Sequence, residues 1–251
     1  MRLYAMTTGW LTGSLAGFIS GGKGRIKVPI PCYLIDHPEG RVLFDSGMHP
    51  DVATDPAGRL GLAATIFEAD YHPNQDVRAR LATLEVDAGR IDYLVNSHLH
   101  FDHAGGNVSV PNARLVVQRR EWEAGQDPDL RAKNYFDPRD YDLGHDLLLV
   151  DGEHDLFGDG SVVCVPTHGH TPGHQSLRVR LDGGDVVLAG DACYLRQTLE
   201  ELRLPSVVYD EGQMLESLHR LRGLEAAGAR IFYGHDPEFW ASVPQVPVAV
   251  G

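Results

Sequence analysis

Ser97-His98-Leu99-His100-Phe101-Asp102-His103-Ala104-Gly105-Gly106 packs three imidazoles and a carboxylate into six consecutive residues. It follows the apolar run Ile91-Asp92-Tyr93-Leu94-Val95-Asn96, which reads as a buried strand. Side chains of an extended backbone alternate with period 2, so His98 and His100 point to one side. Two neutral imidazoles on one side suit a single borderline metal ion. Gly105-Gly106 is predicted to end the strand, which frees Asp102 and His103 to turn toward a second position. The motif therefore divides as two ligands for each of two metals. A solvated histidine cluster is the plainer alternative, but four ligand-type residues at strand-compatible spacing argue against it.

The rest of the chain supplies partners in order. Thr167-His168-Gly169-His170-Thr171-Pro172-Gly173-His174 is a Gly/Pro-punctuated turn after the apolar run Ser161-Val162-Val163-Cys164-Val165. Asp191 follows Val186-Val187-Leu188-Ala189-Gly190, and His235 follows Ile231-Phe232-Tyr233-Gly234. Each ligand-type residue sits just past a short apolar run, where a loop presents it on a rigid scaffold. The turn offers three histidines for one ligand position.

Together these blocks resemble the metallo-β-lactamase superfamily, which HxHxDH alone would mark. The similarity to the N-acyl-homoserine lactonases is closer. It is carried by His98-Leu99-His100-Phe101-Asp102-His103-Ala104-Gly105-Gly106-Asn107, Gly169-His170-Thr171-Pro172-Gly173-His174-Gln175-Ser176-Leu177, Asp191-Ala192-Cys193-Tyr194 and Gly234-His235-Asp236. The resemblance implies an α/β fold, an αββα sandwich of two mixed sheets flanked by helices. Periodicity alone does not separate that fold from other α/β layers. The resemblance also implies a ligand set: His98, His100 and His170 on one metal, Asp102, His103 and His235 on the other, with Asp191 bridging. His170 is chosen because the family motif places its ligand before Thr-Pro-Gly-His, which leaves His174 to pack or hydrogen-bond behind the site. The implied cofactors are two divalent metal ions, zinc first, with iron, manganese and cobalt also accepted by such ligands. Asp45 is implied to support the site from behind the ligands.

The reaction implied is hydrolytic opening of an N-acyl-homoserine lactone ring by hydroxide, the chemistry of quorum quenching. Tyr194 would donate a hydrogen bond to the carbonyl oxygen or the developing alkoxide. Asp102 would carry a proton to the leaving alkoxide. Asp191 stands where the best-known zinc β-lactamases place Cys, which argues against a β-lactam substrate. Trp10, Leu11, Leu15, Phe18 and Ile19 are candidates for walls around an acyl tail, although core packing explains them equally well. Two other readings stay open: a hydrolase of another lactone or a thioester on the same metals, and a lactone- or metal-binding protein without turnover. The last is expected to lack a ligand, and none is missing.

The chain has 251 residues, with no internal repeat or Pro/Ser-rich linker, and a single domain over 1–251 is expected. Its formal net charge of −13, from 35 acidic against 22 basic residues, repels phosphate backbones and excludes nucleic acid as a partner. No apolar stretch is long enough to span a bilayer, so no membrane partner is expected. Cys32, Cys164 and Cys193 are few, odd in number and far apart, which points to reduced thiols in a cytoplasm. The expected partner is a small lactone with an acyl chain.

Residues 27–36 and 41–45 read as strands joined by a hairpin turn at His37-Pro38-Glu39-Gly40. The segment from Trp10 to Ile19 reads as a loop or strand-loop unit rather than a secretory signal. Helices are predicted over 74–84 and 211–226, a strand over 114–118, and a helix start at 119–124. Residues 60–67 suit a short helix or a lid. Residues 126–145, charged and dotted with Tyr135, Phe136 and Tyr141, read as a functional loop or an ordinary surface excursion.

Overall fold

The alternation along Cys32-Tyr33-Leu34-Ile35 decides the layering. All four side chains are buried, yet in a strand Tyr33 and Ile35 face one way and Cys32 and Leu34 the other. A sheet that is apolar on both faces must be covered on both. The computed structural model, which describes residues 1–251, shows what covers each face.

The first sheet is built from β1 (Arg2–Ser14), β2 (Arg25–His37), β3 (Gly40–Phe44), β4 (Glu68–Asp70), β5 (Tyr93–Val95), β6 (Arg114–Gln118) and β7 (Leu147–Val150). Its strand order is β4-β1-β2-β3-β5-β6-β7, antiparallel through β3 and parallel from β3 to β7. The second is built from β8 (His154–Asp155), β9 (Val162–Pro166), β10 (Gln175–Leu181), β11 (Gly184–Leu188) and β12 (Arg230–Phe232), in the order β12-β11-β10-β9-β8. Only β11 and β12 run parallel in it.

The two sheets pack face to face. Tyr33, Ile35, Phe44, Val95 and Val116 of the first share one core with Cys164, Leu177, Val179 and Leu188 of the second. On the outer face of the first sheet, Cys32, Leu34, Leu43 and Leu94 meet Val77 and Leu81. Those two lie at i and i+4 of the helix Val77–Ala82, which Asp76 caps by accepting from the Ala79 N–H. A six-residue helix is marginal on its own, so this docking is what holds it. On the outer face of the second sheet, Val187 and Ile231 meet Leu218 and Leu221 of the helix Glu211–Ala226. The expected αββα sandwich is therefore observed, with helix, sheet, sheet and helix in successive layers.

Most predicted elements fall where expected, with three differences. The opening segment is a 13-residue strand followed by one turn of helix at Leu15–Phe18. Residues 126–145 are not a bare loop but carry two short helices, Pro128–Lys133 and Pro138–Tyr141. Asp127 and Asp137 cap them, and each has Pro in the first turn. The third difference lies in the histidine motif. β5 ends at Val95, and Phe101–Ala104 is a helical turn rather than the end of a strand. Gly105 and Gly106 continue it as a 3-10 turn. Gly106 is needed for close approach, since a Cβ there would lie 2.1 Å from the Ser46 carbonyl oxygen.

Candidate metal centre

β3, β5, β11 and β12 all end on the same rim of the sandwich, and the loops that leave them carry Asp45, His98–His103, Asp191 and His235. The β9–β10 connection brings His170 to the same place. Two backbone hydrogen bonds, Gly234 N–H to Cys193 O and His235 N–H to Tyr194 O, set Tyr194 beside His235. All seven residues of the predicted ligand set meet here, in two groups whose ligand atoms lie within 4.8 Å of one another. One group is His98, His100, His170 and Asp191; the other is Asp102, His103 and His235.

Asp191 faces both groups. Its Oδ2 lies 3.4 Å from His170 Nε2 and 3.7 Å from His98 Nε2. Its Oδ1 lies 3.1 Å from His103 Nε2 and 3.2 Å from His235 Nε2. Asp102 Oδ2 closes the second group at 3.6 Å from His235 Nε2 and 3.7 Å from His103 Nε2.

For four of the five imidazoles the partner of the far nitrogen assigns the near one. His100 Nε2–H donates to the Asn134 carbonyl at 2.8 Å, so its Nδ1 lone pair faces inward. His235 Nδ1–H donates to the Pro29 carbonyl at 2.8 Å, and His103 Nδ1–H to Asp45 Oδ2 at 2.9 Å. His98 Nδ1–H donates to Ser97 Oγ at 2.9 Å, whose hydroxyl donates to Asp45 Oδ2 at 2.8 Å. Partners of this kind fix tautomer and ring orientation in metal sites. His98 Nε2 and His170 Nε2 then stand 2.8 and 3.0 Å from His100 Nδ1. With those tautomers, lone pair meets lone pair between His98 and His100, an arrangement that a cation between them relieves.

His103 Nε2 and Asp191 Oδ1 are fully buried and lack any hydrogen-bond partner. Buried polar atoms left in that condition are costly. Divalent cations fit this donor set: five imidazole nitrogens and two carboxylates, all inward-facing.

Burial, reinforced by the neighbouring imidazoles, holds His98 well below its ordinary pKa and keeps it neutral. Burial likewise lowers His100 and His170. For His103 and His235 burial also pulls down, but Asp191 and Asp102 outweigh it and leave both raised. A cation at those two nitrogens must therefore displace a proton. Burial, then the Asp191 and Asp102 charges, pushes the Tyr194 phenol well above its usual value, so it keeps its hydrogen. The Tyr194 hydroxyl lies 3.4 Å from His170 Nδ1, with the ring against Phe18 and His235.

His174 lies behind the ligands, as expected. Burial lowers its pKa to about 3, so the ring is neutral. Its Nε2 accepts from the Asp191 backbone N–H at 3.0 Å, and Nδ1–H donates to Thr167 Oγ1 at 3.0 Å. Asp45 also takes the Ser97 N–H at 2.7 Å, in a left-handed backbone conformation with φ of 57°. Of the proposed wall residues, Phe18 reaches the site, its ring 5.9 Å from that of His235. Trp10 instead packs against the core between the sheets, under Lys27. Two contributors, the Asn134 carbonyl and the Phe136 ring 5.5 Å from His100, come from residues 126–145, the segment offered as a functional loop, although neither was assigned a role. A third, the buried carboxyl of Glu121, was not visible in the sequence. No local pattern assigns their partners, because each acts across 20 or more residues.

Residues 25–235 match the metallo-beta-lactamase superfamily. The chain is 35% identical to the N-acyl homoserine lactonase AttM of Azorhizobium caulinodans, over 98% of this chain and 97% of that one. It is 32% identical to the N-acyl homoserine lactonase AiiA of Bacillus thuringiensis subsp. kurstaki, over 90% of this chain and 88% of that one. A solved N-acyl homoserine lactone hydrolase, with the product N-hexanoyl-L-homoserine at its catalytic metal centre, superposes with a TM-score of 0.88. That pair is 27% identical, with 99% of this chain and 98% of that one covered. By sequence over nearly its whole length and by the layering of its two sheets, the chain belongs to the metallo-beta-lactamase superfamily and, within it, to the N-acyl homoserine lactonases.

Proposed function

We propose that this protein is a metal-dependent hydrolase that opens the lactone ring of N-acyl homoserine lactones, and that residues 1–251 work as one domain. The observation that carries the reading is the two-sided Asp191, with Oδ1 toward His103 and His235 and Oδ2 toward His98 and His170. His98, His100 and His170 would hold one divalent cation, Asp102, His103 and His235 the other, and Asp191 both. Zinc is our choice of metal, because imidazole and carboxylate ligands in compact sets suit it. When bound, such a pair supplies Lewis acidity to a carbonyl and water made acidic near neutral pH.

The chain's own residues do the rest. Tyr194, held in its protonated form, donates to the lactone oxygen that gains negative charge. Asp102, buried beside His103 and His235, carries the proton that the ring oxygen needs as it leaves. Phe18, Phe67, Phe101 and Tyr194 form an apolar flank beside these groups, suited to an acyl tail. Three buried, unpaired cysteines support a reducing, cytoplasmic setting.

Ring opening assayed across N-acyl homoserine lactones of several chain lengths, beside simple lactones and thioesters, tests the reading. Turnover of the acyl lactones above all others is expected. A clear preference for thioesters, or no turnover by a metal-loaded sample, would overturn it.

A further inference from the structure

Glu121 is fully buried in the first turn of the helix Arg119–Gln126, and it forms no ion pair. An ionisable carboxyl in such a place needs donors that repay its removal from water. It has two, and both are backbone groups of candidate ligand loops. Oε1 accepts from the Leu99 N–H at 3.2 Å, between His98 and His100. Oε2 accepts from the Gly173 N–H at 2.7 Å, in the turn that carries His170 and His174. One carboxyl group thus spans the two loops whose histidines form a single trio.

The fit around it is tight. A Cβ on Gly173 would lie 2.3 Å from the Glu121 backbone nitrogen, so the turn is pressed directly on the helix. On the same helix, a Cβ on Gly125 would lie 2.9 Å from Leu99 Cδ1. The helix therefore braces both loops, and Glu121 is the polar tie within the brace. The second trio rests on other supports: Asp45 holds His103, and the Pro29 carbonyl holds His235.

We propose that Glu121 is a positioning residue that sets the distance between the His98–His100 pair and His170, and so the affinity of that one cation site. This rests on the ligand assignment made above.

Zinc affinity, read by competition with a chromophoric chelator, tests it on metal-loaded wild type and Glu121→Gln. Gln keeps the volume but turns an amide NH2 toward one of the two N–H donors. Glu123→Gln, on an exposed residue of the same helix, serves as control. The wild type and the control are expected to hold two zinc ions tightly. Glu121→Gln should keep one at wild-type affinity and bind the other on the order of ten- to a hundredfold more weakly. Its far-UV circular dichroism should be unchanged. Glu121→Asp, which keeps the carboxyl but is one methylene too short to reach both loops, should weaken the same single site. Wild-type affinity at both sites in Glu121→Gln would overturn the proposal, as would equal weakening of both. Failure of both variants to fold would also overturn it, by making Glu121 a requirement of the fold rather than of one site. A wild type that takes up fewer than two zinc ions would overturn the ligand assignment instead, and with it this proposal.

Discussion

His103 Nε2 and Asp191 Oδ1 approach to 3.1 Å in the interior, yet neither atom makes a hydrogen bond. His103 belongs to the second ligand group, and Asp191 Oδ1 faces that same group. Desolvating two such groups without a partner costs roughly 1–3 kcal/mol each, and a divalent cation bound by both removes the penalty. The purified protein should therefore hold two divalent cations per chain, and a strong chelator should abolish turnover. Elemental analysis finding one cation or none in a fully active sample would refute this.

Asp191→Asn should harm the enzyme more than loss of any single histidine. The amide keeps the shape but offers one neutral oxygen where two anionic ones face two imidazole sets. At least one cation should be lost, and kcat should fall by more than the roughly 10–100-fold typical of partners that only support a ligand. Retention of both cations with near-normal turnover would show that Asp191 does not bridge.

Tyr194→Phe separates chemistry from the integrity of the site. The hydroxyl is 3.4 Å from His170 Nδ1, a long contact, and the ring packs against Phe18. Removing the hydroxyl should leave both cations and the local packing in place. The loss should fall on kcat, roughly ten- to a thousandfold, as for one donor to developing charge. A hydrogen bond equally strong to bound lactone and transition state would raise KM instead. Steady-state kinetics with cations counted on the same batch decides, and unchanged constants on every lactone would reduce Tyr194 to packing.

Stability should carry a pH signature from Glu121. Burial pushes its carboxyl up to about 7, from 4.5, against the opposing pull of nearby donors, the Gly173 N–H first. The folded state then binds this proton more tightly than the unfolded state. Its contribution is fully present below pH 4.5 and is lost as pH rises through 7. Relative to Glu121→Gln, the wild type should lose about 2–3 kcal/mol of stability between pH 5 and 8. Parallel denaturation curves check this, since effects shared by the two proteins cancel. A difference that stays flat across that range would place the folded carboxyl near its ordinary value.

The ligand types were readable because a metal site demands particular side chains, and His98, His100, Asp102, His103, His170, Asp191 and His235 each stand just past a short apolar run. His174 was legible as support only through the family resemblance, whose motif places its ligand before Thr-Pro-Gly-His and so favours His170 among the three histidines of that turn. Backbone conformation within the motif was not legible. Four residues of helix at Phe101–Ala104 are too few to leave a periodic signal, and the turn survives by docking on the Ser46–His49 loop rather than by propensity.

The sequence by itself determined the layered α/β class, through short apolar strands interspersed with helices, and it offered the residues proposed here to carry the chemistry. Tertiary structure decided what holds those residues at working distances. The Asn134 carbonyl on His100, the Pro29 carbonyl on His235 and the Glu121 carboxyl across two loops join positions 34, 206 and up to 52 residues apart. A backbone carbonyl has no sequence signature, and a buried glutamate on a charged helix looks like any surface one. Their partners are chosen by how the sheets close, so only the closed sandwich reveals them.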